Sequence, residues 1–144
     1  MSMDKKTALE VVKKNGLTLK SIGRLQKIKK FKKDKEVVLE AVKQNGYALQ
    51  YADKSLKKDR KFILKAVKHG AALMWVNKSF KKDKEIVLEA VKQEGLELAY
   101  ADKSFRKDKK IALEAVKNNA DAFEWIDESL EKDADILKVV NRIG

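Results

Sequence analysis

Lysine and arginine return in this sequence at fixed separations, and a row of like charges is a means of holding an anion. Lys54, Lys78 and Lys103 form one set, Lys57, Lys81 and Arg106 a second, and Lys58, Lys82, Lys107 and Lys132 a third. Two further sets are Lys35, Arg60, Lys84 and Lys109, then Lys43, Lys68, Lys92 and Lys117. Ammonium groups in register along one edge would neutralise successive phosphates, with little readout of sequence. The same lysines would also suit a solvated edge, those near a helix C-terminus being favoured by the helix dipole. The phosphate-binding groups of this reading are lysines without aromatic partners, which favours loose electrostatic contact over base stacking. The net charge of +12 agrees with an acidic partner. It is unevenly spread: residues 1–33 hold eleven basic side chains against two acidic ones, residues 118–144 three against seven.

Other chemistry is thinly provided. "ADKS" or its variants place an acid or amide two residues before a serine at Asp53/Ser55, Asn77/Ser79, Asp102/Ser104 and Asp127/Ser129. That spacing is turn and capping chemistry before it is a catalytic pair. The acids Asp127, Glu128, Glu131, Asp133 and Asp135 lack the alternating ligands, central glycine and closing glutamate of a calcium loop. His69 is the only histidine and cysteine is absent, so neither a zinc site nor a thiol nucleophile is expected. No G-x-x-x-x-G-K-S/T loop or dinucleotide fingerprint occurs. The expectation is a protein that is not an enzyme and uses no cofactor or metal.

The elements that must position the lysines are repeats. "DKEVVLEAVKQNGYALQYADKSLKKD" from Asp34 is rewritten from Asp83 as "DKEIVLEAVKQEGLELAYADKSFRKD". Asp4, Asp34, Asp59, Asp83, Asp108 and Asp133 open successive units at a period that signals a solenoid or array. The first unit carries an insertion around "SIGRLQKIKKF", the third lacks one residue before Gly70, and the sixth stops after its first helix. In each unit the aspartate is placed to cap an amphipathic helix. Val38, Ala41, Val42 and Asn45 mark one face of that helix. Gly16, Gly46, Gly70 and Gly95 follow it, where a left-handed C′ residue would close the helix, and Ala120 takes the slot in the fifth unit. A second short helix and then a turn are expected after the glycine. A coiled coil is excluded by these regular breaks.

Helices this short are marginal alone, so each must bury its apolar face on neighbouring units. Ala41, Ala66, Ala90 and Ala115 are small enough to let adjacent helices approach closely. Leu49, Leu73, Leu98 and Phe123 share one core slot, and Leu56, Phe80, Phe105 and Leu130 another. Tyr51, Trp75, Tyr100 and Trp125 are expected in the core too, with a hydroxyl or indole edge reaching water. The alternative for these four is an aromatic strip on a concave face. Lys138 and Asn141 replace the usual Leu and Val in the last helix, as a terminal cap requires. Leu9 and Val12 keep the first unit uncapped, so repeats are expected once to have continued upstream.

The core Asp-Lys/Arg-x-Val/Ile/Phe-Val/Ile-Leu-x-Ala-Val-Lys-x-x-Gly-x-x-Leu-x-Tyr/Trp-Ala resembles the bacterial repeat family catalogued as domain of unknown function 4116. The resemblance covers nearly the whole chain and is best from Asp34 to Ser129. It implies tandem short-helix repeats of the kind found in intracellular bacteria and some protists, including in secreted effectors. It implies no activity, cofactor or catalytic residue. This chain departs from the family's more mixed charge in its wealth of lysine.

The expected fold is all-α: an α-solenoid of five short-helix repeats plus a C-terminal capping helix, forming one repeat domain over residues 1–144. The expected role is a non-catalytic scaffold for a protein partner, with specificity at the variable positions Gln50, Met74, Ala99 and Glu124. The alternative is RNA, DNA or anionic membrane held by Lys54, Lys57, Lys58, Lys78, Lys81, Lys82, Lys103, Arg106 and Lys107. A third is a segment of a larger array with no ligand of its own. No apolar run reaches the roughly 20 residues of a membrane span, and no apolar leader opens the chain. A monomer in the cytoplasm is therefore expected, or in a host cytoplasm if the effector context applies.

Overall fold

The computed structural model describes the backbone of residues 3–22 and 26–143, and the side chains of residues 3–20 and 30–141. Part of the expected insertion lies outside them, as do the side chains of Arg24, Lys27, Lys29 and Arg142. The described residues contain no strand, and none of their helices is long and apolar enough to cross a membrane. The fold is all-α, an α-solenoid built from short-helix repeats. The chain divides into two compact units, Met1–Asn77 and Lys78–Gly144.

The first unit runs α1 (Lys5–Lys14), a 3-10 helix Gly16–Thr18, α2 (Leu19–Ile22), a 3-10 helix Gln26–Lys33, and α3 (Lys35–Gln44). It continues through a 3-10 helix Gly46–Tyr51, α4 (Lys54–Lys57), α5 (Arg60–Lys68) and a 3-10 helix Leu73–Trp75. The second unit begins with a 3-10 helix Phe80–Lys82, then α6 (Lys84–Gln93) and 3-10 helices Gly95–Tyr100 and Lys103–Lys107. It ends with α7 (Lys109–Asn118), 3-10 helices Ala120–Trp125 and Glu128–Leu130, and α8 (Ala134–Ile143). Slots are numbered below from the leading aspartate as one, with a gap left for the missing residue of repeat three.

Each repeat opens as its aspartate dictates. Asp4 accepts from the Thr7 amide at 2.7 Å, Asp59 from Phe62 at 3.1 Å and Asp108 from Ile111 at 3.2 Å. Asp34, Asp83 and Asp133 cap α3, α6 and α8 in the same way. Slots 4, 5, 8 and 9 of the capped helix are then buried, as at Val37, Val38, Ala41 and Val42, or Ile86, Val87, Ala90 and Val91. The buried stripe is wider than the expected face, because slot 4 faces inward as well.

The glycine after the helix does a different job from the one expected. Gly70 alone, among the described residues, has a positive φ, at 99°. The turn at the other repeats is made by the residue before slot 13, which is glycine except at Ala120: Asn15, Asn45, Glu94 and Asn119 are extended, with φ between −147° and −155°. Their side chains accept from the amide two residues on and so open the next 3-10 helix. Glycine is needed for room. A Cβ at Gly16 would stand 2.1 Å from the Ala41 carbonyl oxygen, at Gly46 2.0 Å from that of Gly70, and at Gly95 2.2 Å from that of Ala115. Each of those carbonyls belongs to the following repeat.

The segment expected as a turn is a third helix. Asp53 and Asp102 accept from the serine two residues on through both its amide (2.9 and 3.0 Å) and its hydroxyl (2.7 Å each). Asp127 accepts from the Ser129 amide. Capping starts α4 and the 3-10 helices Lys103–Lys107 and Glu128–Leu130. The same aspartates tie repeats together through the backbone: the amides of Asp53, Asp102 and Asp127 donate to the carbonyls of Lys32, Lys81 and Arg106 at 2.9–3.0 Å. At the end of the second unit α8 packs on α7, with Ile136 buried and Lys138 and Asn141 exposed. This is the polar face expected of a cap.

Candidate functional site

The structure sorts the lysine sets, which look alike in the sequence, by what each touches. Slot 2 is a seam. Lys5 pairs with Asp34 and Glu36 of the next repeat at 3.1 and 2.7 Å, Lys35 with Asp59 at 3.0 Å, and Lys84 with Asp108 at 2.8 Å. Lys109 pairs with Asp133 and Asp135 at 3.1 and 2.7 Å. The pairs show in the titration of Lys5, Lys109 and Asp59. Glu36 and Asp34 raise the Lys5 ammonium, Asp135 and Asp133 raise that of Lys109, and Lys35 with the Phe62 amide lowers the Asp59 carboxyl. Two slot 10 lysines pair within their own helix, Lys43 with Glu40 at 3.1 Å and Lys92 with Glu89 at 3.6 Å.

Two of the slot 24 cations, Lys57 and Arg106, are not the free charges expected of a ladder. The Lys57 Nζ donates to the Gln50 carbonyl at 2.6 Å, and the Arg106 Nη2 to the Ala99 carbonyl at 3.3 Å. Both side chains are half-buried, closing the second helix of their own repeat. Burial, with Lys32 and Lys54 nearby, pushes the Lys57 ammonium below its ordinary value. Arg106 also lies over the Trp125 ring, 5.3 Å from its centroid. Slots 21 and 25 remain: Lys54, Lys58, Lys78, Lys82, Lys103 and Lys107 are exposed and form no ion pair among the described residues.

These lysines border a recurring cleft, formed where the third helix of one repeat meets the second helix of the next. In the first unit Lys32, Lys33, Tyr51, Asp53 and Lys54 line one such cleft, and Lys54, Lys57, Lys58 and Asn77 the next. In the second unit the pair is Lys78, Lys81, Tyr100, Asp102 and Lys103, then Lys103, Arg106, Lys107 and Asp127. The aspartates that line these clefts are engaged. Ser104 and then the Lys82 and Lys78 ammoniums hold the Asp102 carboxyl below its ordinary value, as Ser129 and Lys107 do for Asp127.

The aromatic slot is thus corrected twice. Tyr51, Trp75, Tyr100 and Trp125 are not core: Tyr100 is 46% and Trp125 38% exposed, and the other two are half-buried. The reason is the three-residue turn of a 3-10 helix. Slots 16 and 19 share its inner face, as Leu49 with Ala52 and Leu98 with Ala101, which leaves slot 18 on the flank. Nor do the indole edges all reach water, since the Trp75 Nε1 is buried with no hydrogen-bond partner. Contrary to the sequence reading, the lysines of slots 21 and 24 do have aromatic neighbours. Tyr100 shares a cleft with Lys78 and Lys81 of the preceding repeat and Lys103 of its own, and Tyr51 one with Lys32 of the preceding repeat and Lys54 of its own.

The variable positions do not form one kind of surface. Met74 and Glu124 are exposed, whereas Gln50 and Ala99 are half-buried beside the cations that cap their carbonyls. Sequence reasoning missed slot 14, just after the glycine, where Leu17, Tyr47 and Leu96 are 38%, 51% and 37% exposed. The signal was an apolar residue in a slot that also accepts Asp121. His69 is exposed at the end of α5. The terminal acids serve caps and pairs, Asp127 with Ser129 and Asp133 with Lys109. No group of three or more metal-ligating side chains forms among the described residues.

No curated protein and no solved structure matches the chain significantly. The model of the family described as "Domain of unknown function (DUF4116)" matches residues 4–57, 34–81, 59–106 and 83–131. Each match begins at a capping aspartate and runs to slot 24 of the following repeat. The family's unit is therefore two repeats with the seam between them, the smallest piece that contains the lysine–aspartate pair and the glycine–carbonyl contact. From the repeats, the seams and these matches together, the chain belongs to the DUF4116 family.

Proposed function

We propose that the chain is a non-catalytic helical-repeat scaffold that binds an anionic polymer or surface along the clefts bordered by slots 21 and 25. One observation carries this reading: those six lysines are exposed and form no ion pair among the described residues, while Lys35 and Lys84 at slot 2 and Lys43 and Lys92 at slot 10 are paired with acids. Repeated point charges suit phosphate contact with little sequence readout. The test is binding of labelled RNA, duplex DNA and acidic liposomes at roughly 50 and 200 mM salt. Tight binding that falls steeply with salt, and falls again when Lys58 and Lys82 become glutamine, supports the reading. No binding at low salt sinks it.

A second reading, a protein partner, is favoured by the exposed Leu17, Tyr47 and Leu96 and by Met74. A packed interface of that kind would change far less with salt, and aspartate at Tyr47 or Leu96 would abolish it. Either role is proposed for the cytoplasm, of the cell that makes the protein or of a host.

A further inference from the structure

We propose that residues 78–144 bind single-stranded nucleic acid, with Lys78, Lys81, Lys103 and Lys107 against successive phosphates and an unpaired base stacked on Tyr100. This rests on the polyanion reading above and names the polymer. Three observations select it.

The first is an open ring. Tyr51 lies under the Lys20 ammonium, 5.9 Å from its centroid, and Trp125 under Arg106. Among the described residues no cation covers Tyr100, which is the most exposed of the four slot-18 aromatics. A ring beside a cationic groove is the usual platform for an unpaired base, and every base has a face to stack.

The second is continuity. The cleft holding Tyr100, about 470 Å³, shares Lys103 with the cleft that follows it. A chain of anionic groups thus meets cationic side chains in both clefts, from Lys78 in the first to Lys107 in the second.

The third is sign. The Tyr100 cleft has three lysines against one aspartate, and Asp102 already accepts two hydrogen bonds from Ser104. A backbone phosphate meets net positive charge there. A duplex keeps its base faces stacked away from such a ring, and an acidic peptide has no face to give it.

The experiment uses the whole chain and three probes: a labelled single-stranded oligonucleotide, the same sequence as a duplex, and polyglutamate of equal charge. The single strand should bind most tightly at low salt. Tyr100→Ala should weaken it about tenfold or more, leave polyglutamate binding unchanged, and be rescued by Tyr100→Phe. Lys103→Gln should reduce the slope of log affinity against log salt by about 0.7. Equal binding of duplex or polyglutamate, or a Tyr100→Ala variant that binds the single strand as the parent does, overturns the proposal while sparing the polyanion reading. Failure of all three probes to bind overturns the proposal, and with no binding to acidic liposomes either, the polyanion reading as well.

Discussion

Two rows of lysine run through this protein, and they differ in everything but residue type. The row at slot 2 meets the capping aspartate of the next repeat at 2.8–3.1 Å. The row at slots 21 and 25 meets water. Both recur at the period of the repeat, so periodicity alone cannot tell a structural cation from a binding one. What separates them is the residue that the following repeat brings opposite. One row belongs to a seam that holds repeats together, the other to an edge that the fold does not need.

The largest effects should fall on the seam, at the glycines. Gly95→Ala pushes a Cβ against the Ala115 carbonyl. Backbone cannot yield as a side-chain tip can, so the loss should reach about 3 kcal/mol or more. Gly70→Ala should lose only about 1–2 kcal/mol, since its space is open and only its φ is unfavourable. Thermal melts of the two variants test the ranking, and equal losses would return the glycines to the role of ordinary helix stops.

Next in size is the aspartate that serves both cap and pair. Burial draws the Asp108 carboxyl upward, but Lys84 and the amides of Ile111 and Lys110 outweigh it and hold it below its ordinary value. Asp108→Ala should destabilise by about 1–2 kcal/mol, mostly through the lost cap. Lys84→Gln removes a half-exposed pair alone and should lose under about 1 kcal/mol.

Acid should separate the rows without mutation. The folded pKa values of Asp59, Asp102, Asp127 and Asp133 lie below the ordinary 3.8. Their stabilisation is therefore complete above that value and is lost as pH falls through the lower folded values. Lysines stay charged throughout, so acid should loosen the fold before it touches the charge of the edge. Circular dichroism from pH 6 downward, on the order of the carboxylate range, checks this. A helical signal unchanged down to the lowest pH would show that the caps and seams contribute nothing.

The smallest effect on stability should come from the edge. Lys58→Gln with Lys82→Gln should shift the unfolding free energy by less than about 0.5 kcal/mol.

Much of this was legible in the sequence. Asp34 and its counterparts announced the caps, Val38, Ala41 and Val42 the core face, Asp53 with Ser55 the local capping, and Lys138 with Asn141 the closing face. Those features depend on residues a few positions apart. The misreadings concern contacts one repeat away. Gly46 resembles a helix stop until Gly70 brings its carbonyl against it. Lys35 resembles a ladder rung until Asp59 arrives opposite. Tyr100 resembles core while its helix is imagined as α, because only the tighter 3-10 turn rotates slot 18 out to the flank. A sequence gives period and type, but not the partner that the next copy supplies.

The most direct test of the two-row account is the salt dependence of polyanion binding in paired variants. Lys58, Lys82 and Lys107 are changed to glutamine in one protein, Lys35, Lys84 and Lys109 in another. The account predicts that the first loses slope in log affinity against log salt, by about 0.7–0.9 for each phosphate contact removed, and keeps its melting temperature. The second should keep its slope and melt lower. Equal losses of slope in both would show that the rows are one undifferentiated field of charge, and would contradict the account.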